Sequence, residues 1–122
     1  MAPQPSRGEI WVVDLDPTRG HEQAGVRPVL IVSNDTFNHG PANMVIVTPL
    51  TRTGRNIPMH VAIDPPEGGV RERSYLLCDN ARAVSKERLK GQPWGRVSQI
   101  TLSMVEDYLA ILLDLPAARR FT

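Results

Sequence analysis

The sequence predicts a mainly β fold, a small antiparallel barrel with one helix packed on it. Three observations predict it. Short runs rich in β-branched residues recur between residues 9 and 97. Clusters of Gly, Pro, Asn and Asp separate those runs, as turns require. A single amphipathic, capped segment then closes the chain.

Residues 9–15 read as the first strand, which Pro17 ends. Residues 27–33 form the second, apolar enough to be buried on both faces. Ser33 and Asn34 are capping residues and predict a helical turn over 33–38, broken by Gly40 and Pro41. Residues 44–51 form the third strand. Pro49 lies inside it and lacks a ladder donor, which predicts a sheet edge or a bulge. Residues 53–58 are a turn-rich loop, 60–63 a short strand and 64–69 another turn. Residues 74–80 read as a strand, with 81–84 as its continuation or the next segment. Residues 85–89 form a capped turn and 94–97 the last strand. Ser98 caps a helix over 99–113, in which Ile100, Met104, Val105, Tyr108, Leu109 and Leu112 recur at helical spacing. Pro116 ends it. The chain is expected to be one domain, 1–122, frayed at 1–6 and 117–122.

A chain of 122 residues buries about two-thirds of its unfolded surface and folds without staples. Its one cysteine, Cys78, excludes an internal disulfide and fits a reducing compartment. No apolar run approaches the roughly 20 residues that span a bilayer. The polar N-terminus lacks the apolar core of a signal peptide. A soluble, cytoplasmic protein with no membrane partner is expected. The net charge of +1 is uninformative, but its distribution is not. Between residues 18 and 60, Arg19, Arg27, Arg52 and Arg55 face only Glu22 and Asp35. Between 99 and 115, Glu106, Asp107 and Asp114 have no basic neighbour in sequence. Arginine outnumbers lysine twelve to two. That suits bidentate phosphate contacts, and it is also what a GC-rich coding sequence produces.

His21, His39 and His60 are scattered, and no His or Cys pair has ligand spacing, so no metal or other cofactor is expected. No phosphate-cradling glycine pattern exists either. Cys78, within an apolar run, reads as a small buried hydrophobe rather than a nucleophile. The informative stretch is the polar loop 18–28, set between the apolar runs 10–15 and 29–32. It carries His21, Glu22 and Gln23 and ends in Arg27, which Pro28 biases toward extended backbone. Arg27 keeps its proton, so its natural work is to hold a phosphate and stabilise charge built up in a transition state. His21 can serve as general acid or base, and Glu22 can pair with it or with an arginine. The Thr51 hydroxyl can orient a phosphoryl oxygen. Asp79 and Arg82 flank the end of an apolar run and can reach the same place if strand ends converge. Each has an ordinary alternative: a solvated loop histidine, a turn threonine, a surface Asp79–Arg82 pair. A phosphoryl-transfer site without a metal activates water poorly. RNA carries its own nucleophile, the 2′-hydroxyl, and fixed arginines with one acid/base group then suffice. The products would be a 2′,3′-cyclic phosphate and a 5′-hydroxyl.

Several stretches resemble one family. They are Arg7-Gly8-Glu9-Ile10-Trp11, Asp14-Leu15-Asp16-Pro17, the long run from Gly20 through His21-Glu22-Gln23-Ala24-Gly25-Val26-Arg27-Pro28 to Asn34, Pro49-Leu50-Thr51, and Cys78-Asp79. These are similar to the MazF/PemK (Kid) toxins of bacterial toxin–antitoxin systems, over nearly the whole chain. The resemblance implies an SH3-like β-barrel with a C-terminal helix, acting as a homodimer. It implies a metal-independent, sequence-selective endoribonuclease for single-stranded mRNA, and an antitoxin whose disordered segment covers the RNA groove.

Residue by residue, the resemblance places the family's key arginine on Arg27 and its key threonine on Thr51. His21 and Asp79 match the PemK/Kid branch, where both are implicated in the site. Glu22, Gln23, Arg52, Arg55 and Arg82 are expected to line the RNA path. Two departures stand out. Arg52 occupies a position where many relatives have serine, and Leu77 one where the PemK branch has an arginine. Two alternatives share the fold: a non-catalytic toxin that binds DNA gyrase, as CcdB does, and an inactive paralogue that only binds antitoxin.

Overall fold

The computed structural model describes residues 4–15 and 25–116. Seven strands and two helices follow in order: β1 (Glu9–Asp14), β2 (Val26–Ile31), α1 (Asp35–Asn38), β3 (Met44–Thr51), β4 (His60–Ile63), β5 (Ser74–Leu77), β6 (Arg82–Ser85), β7 (Leu89–Arg96) and α2 (Gln99–Leu112). All strand pairs are antiparallel. The expected class, mainly β with a closing helix, is the one observed. The barrel is not closed among the described residues. The strand order is β4-β5-β3-β2-β1-β7, with β6 also on β3, so β4 and β7 remain edges.

β3 is the hub. One flank pairs with β2 through Val47–Pro49. The other pairs with β6 over Met44–Val47 and with β5 over Leu50 and Thr51. Thr48 and Pro49 fall where one partner strand gives way to the next. Pro49 is therefore not on a sheet edge. It occupies an interruption in the ladder, where a missing N–H is tolerated.

β1 and β2 are buried on both faces because their alternate residues enter two separate cores. Ile10 and Leu30 join Leu50, Val61, Ile63 and Leu76 in the layer that α2 covers with Leu102 and Val105. Trp11, Val13, Val29 and Ile31 join Val45, Val47 and Val84 on the opposite side. Val29, Leu30 and Ile31 are all fully buried, as the continuous apolar run requires. Burial of such side chains contributes roughly 1.5–3 kcal/mol each.

The local signals at helix starts hold. Asn34 accepts from the Phe37 N–H (2.8 Å) and Ser98 from the Thr101 N–H (3.1 Å). Ser85 likewise accepts from the Glu87 N–H (3.2 Å) and opens the turn Lys86–Arg88.

Four expectations need correction. Residues 78–80 are a three-ten turn, Cys78–Asn80, rather than strand. The last strand starts at Leu89, not 94. Gly91 and Pro93 mask it in the sequence; β1 pairs with Leu89 and Lys90 and again with Gly95 and Arg96, and the register shifts across the residues between. The face of α2 is also different. Leu102 and Val105 enter the core, with Tyr108 and Leu109 against it, while Ile100, Met104 and Leu112 are exposed. The helix is apolar over more than one stripe, and spacing alone does not choose between them. Finally, Pro5 and Ser6 are tied down rather than frayed. Pro5 is buried, and the Ser6 N–H donates to Glu9 Oε1 at 2.6 Å. Residues 1–3 and 117–122 lie outside the described residues.

Candidate functional site

Arg27 is the second residue of β2 and Thr51 the last of β3. The β2–β3 register pairs Val29 with Pro49 and Leu30 with Thr48. Continued two residues outward, that register sets Arg27 opposite Thr51. Two strand ends thus bring together side chains that are far apart in sequence. Both line one cavity of about 860 Å³. Arg52, Arg71, Glu72, Ser74 and Trp94 share its wall.

The wall is cationic. Among the described residues it carries three guanidinium groups, on Arg27, Arg52 and Arg71, against one carboxylate, Glu72. Arg52 Nη1 donates to Glu72 Oε2 at 2.8 Å, in an exposed pair. Thr51 Oγ1 accepts from the Thr53 N–H at 3.2 Å, which orients the hydroxyl and starts the following loop. Concave shape, excess positive charge and a fixed hydroxyl suit an anionic, phosphate-bearing ligand.

Other expected residues lie elsewhere. Asp79 is in the Cys78–Asn80 turn and is not on the cavity wall. Its Oδ1 accepts from His60 Nε2 (3.0 Å) and from Asn80 Nδ2 (2.9 Å). The His60 partner was not legible from the sequence. The His60 side chain is 7% exposed, and its Nδ1 is buried without a hydrogen bond. Arg82 lies on β6 opposite Val47, and Arg55 is exposed in the loop after β3; neither lines the cavity. His21, Glu22 and Gln23 lie outside the described residues. Leu77 is buried, so this chain has no charge where the PemK branch has one.

Cys78 behaves as the small hydrophobe that its sequence context indicated. It is buried, and burial, followed by the nearby Asp79 charge, pushes its thiol up to about 12. Among the described residues no group of three or more His, Cys, Asp and Glu side chains is placed to hold a metal ion. No helix there is long and apolar enough to cross a membrane.

Sequence reasoning missed Arg71 and Trp94. Their only local signals are the double glycine before Val70-Arg71 and a tryptophan set between Pro93 and Gly95.

A β3-centred antiparallel sheet, a closing C-terminal helix and an arginine-lined cavity at the β2 and β3 ends define a small, mainly β protein with one terminal helix. The family follows from comparison. Residues 6–113 match the model of the PemK-like, MazF-like toxins of type II toxin–antitoxin systems, and the chain belongs to that family. It is 37% identical over 110 residues to the endoribonuclease PemK of Escherichia coli, covering 88% of this chain and 80% of that one. It is 35% identical over 114 residues to the endoribonuclease MazF9 of Mycobacterium tuberculosis, covering 89% and 96%. Among solved structures, a mycobacterial endoribonuclease in complex with its cognate antitoxin superposes with a TM-score of 0.75 at 33% identity, covering 92% of this chain and 97% of that one. MazF from Deinococcus radiodurans gives a TM-score of 0.83 at 24% identity, over 93% and 100%, and supports the fold.

Proposed function

We propose that this protein is a toxin endoribonuclease that cuts single-stranded mRNA sequence-selectively and without a metal ion. The observation that carries the reading is the facing pair Arg27 and Thr51 on a cationic cavity wall, in a family whose named relatives are endoribonucleases.

Arg27 grips a non-bridging oxygen of the scissile phosphate with its planar fork. The Thr51 hydroxyl donates to the phosphate and sets its orientation. The neighbouring 2′-oxygen then forms a bond to phosphorus as the bond to the 5′-oxygen breaks. Negative charge on the pentavalent transition state falls beside Arg27, which is where a fixed guanidinium is worth most. The 2′-hydroxyl proton goes to a general base, and the leaving 5′-oxygen takes a proton from a general acid. His21, with Asp79 or Glu22, serves these transfers. For Asp79 to take part directly, its pairing with His60 must open. Gln23, Arg52, Arg55 and Arg82 line the RNA path outside the reacting centre.

The active form is a homodimer in the cytoplasm. The apolar residues that α2 leaves exposed, Ile100, Met104 and Ile111, support a covered outer face on that helix. A cognate antitoxin holds the toxin inactive by laying a disordered segment across the RNA groove.

The test is cleavage of matched oligoribonucleotides by purified protein in chelator. Cutting of the all-ribose strand is expected, with 2′,3′-cyclic phosphate ends. A single 2′-deoxy sugar at the cut site should block it. Equal cutting of both strands, or a requirement for divalent cation, overturns the mechanism.

A further inference from the structure

Trp94 is an anomaly. It lies on β7, belongs to neither core cluster, and leaves 46% of its surface to water on a charged cavity wall. The backbone beneath it is tightly packed. A Cβ at Gly69 would sit 2.3 Å from the Trp94 carbonyl oxygen, and Gly69 has a φ of +78°. A Cβ at Gly95 would sit 2.9 Å from the Gly68 backbone. The turn Glu67–Gly69 therefore lies directly on β7, and only glycines allow that approach. A large flat side chain is thus exposed on backbone that packs closely against that turn.

Arg71 follows two residues after that turn and lines the same cavity. Its neighbours are committed. Arg52 pairs with Glu72. Arg73 pairs with both oxygens of Asp64, at 2.9 and 2.7 Å, and lies over the Tyr75 ring at 5.7 Å. Arg71 is exposed and makes no hydrogen bond or ion pair with any described residue. An indole face and an uncommitted guanidinium on one wall match the two parts of a nucleotide, base and phosphate.

We propose that Trp94 and Arg71 form a nucleotide subsite flanking the phosphate held by Arg27 and Thr51. Trp94 stacks on the base, and Arg71 holds that nucleotide's phosphate. Stacking tolerates any base, so the subsite supplies grip along the strand. It rests on the ribonuclease reading above.

Fluorescence tests it directly. The chain has two tryptophans, and Trp11 is buried. Emission on titration with a 2′-O-methyl oligonucleotide of mixed sequence, which cannot cleave itself, therefore reports on Trp94. Quenching is expected in the wild-type protein and should vanish in Trp94→Phe, whose affinity should fall between wild type and Trp94→Ala. Trp94→Ala should weaken binding about tenfold to a hundredfold, with the loss in KM far larger than in kcat. Arg71→Gln should lower the slope of log affinity against log salt by about 0.7, as loss of one phosphate contact to a single strand predicts. Circular dichroism checks that each variant is folded. Quenching that persists in Trp94→Phe, or a folded Trp94→Ala with wild-type KM, overturns the subsite. A wild-type protein that neither binds nor cuts RNA overturns the ribonuclease reading along with it. Cutting that continues with Trp94 silent removes the subsite alone.

Discussion

The cavity at the ends of β2 and β3 and the turn after β5 both gather charged side chains near strand ends, yet they differ in what those charges have left to give. On the cavity wall, the described residues carry three guanidinium groups and one carboxylate, which Arg52 engages, and Arg71 makes no hydrogen bond or ion pair with a described residue. At the turn, the Asp79 carboxylate already accepts from His60 and Asn80. The first region leaves the Arg71 charge open to a ligand. The second is largely satisfied from within the fold. Residue type alone does not reveal a reactive group; its remaining hydrogen-bonding capacity does, and that depends on neighbours distant in sequence.

Substitutions at the two places should separate them. The largest effect is expected from Arg27→Ala, with cleavage falling about a hundredfold to a thousandfold or more while the melting transition persists. Arg27→Lys should recover little, because a point charge does not reproduce the planar fork. Full activity in folded Arg27→Ala protein would take the cavity out of the mechanism. Next comes Thr51→Val, which keeps the shape and removes the hydroxyl. Single-turnover cleavage should slow about tenfold to a hundredfold, as for a hydrogen bond to a charged group. Asp79→Asn should slow the reaction less than either, and lower stability by about 1 kcal/mol in urea titration through its weakened bond to His60. A loss equal to that of Arg27→Ala would instead put Asp79 on the substrate, and the contrast between the regions would fail.

The smallest effect concerns Cys78. Its thiol is held up at about 12 in the folded protein, whereas an unfolded thiol ionises near about 8.5. Above the lower value the unfolded chain loses its proton and the folded chain keeps it. Stability therefore declines as pH rises from about 8.5 toward about 12. Cys78→Ala should flatten that decline without abolishing RNA cleavage. Iodoacetamide at pH 8 should leave the native thiol intact and label it after unfolding; rapid native labelling would show an accessible, reactive cysteine.

Much of the fold was legible because its signals are local. The third and fourth strands match their expected bounds, 44–51 and 60–63, and Ser98 caps α2 as expected. Three of the differences share one cause. Pro49, the segment 89–93 and the apolar faces of α2 have local patterns that admit two outcomes, and a distant partner chose between them. The site divides in the same way. The residues from Gly20 to Asn34, together with Thr51, carried the family resemblance and hence the candidacy of Arg27 and Thr51. The meeting of Arg71 and Trp94 with that pair had no comparable sequence signal.

By itself, the sequence determined the strand and helix periods, the caps and the arginine near the start of β2. These depend on backbone preferences and side-chain spacing within a few residues. The tertiary structure decided which carboxylate is already engaged, which guanidinium remains available and which tryptophan faces the cavity. Those outcomes depend on strand register and on glycine-permitted contact between segments remote along the chain, which short-range patterns do not encode.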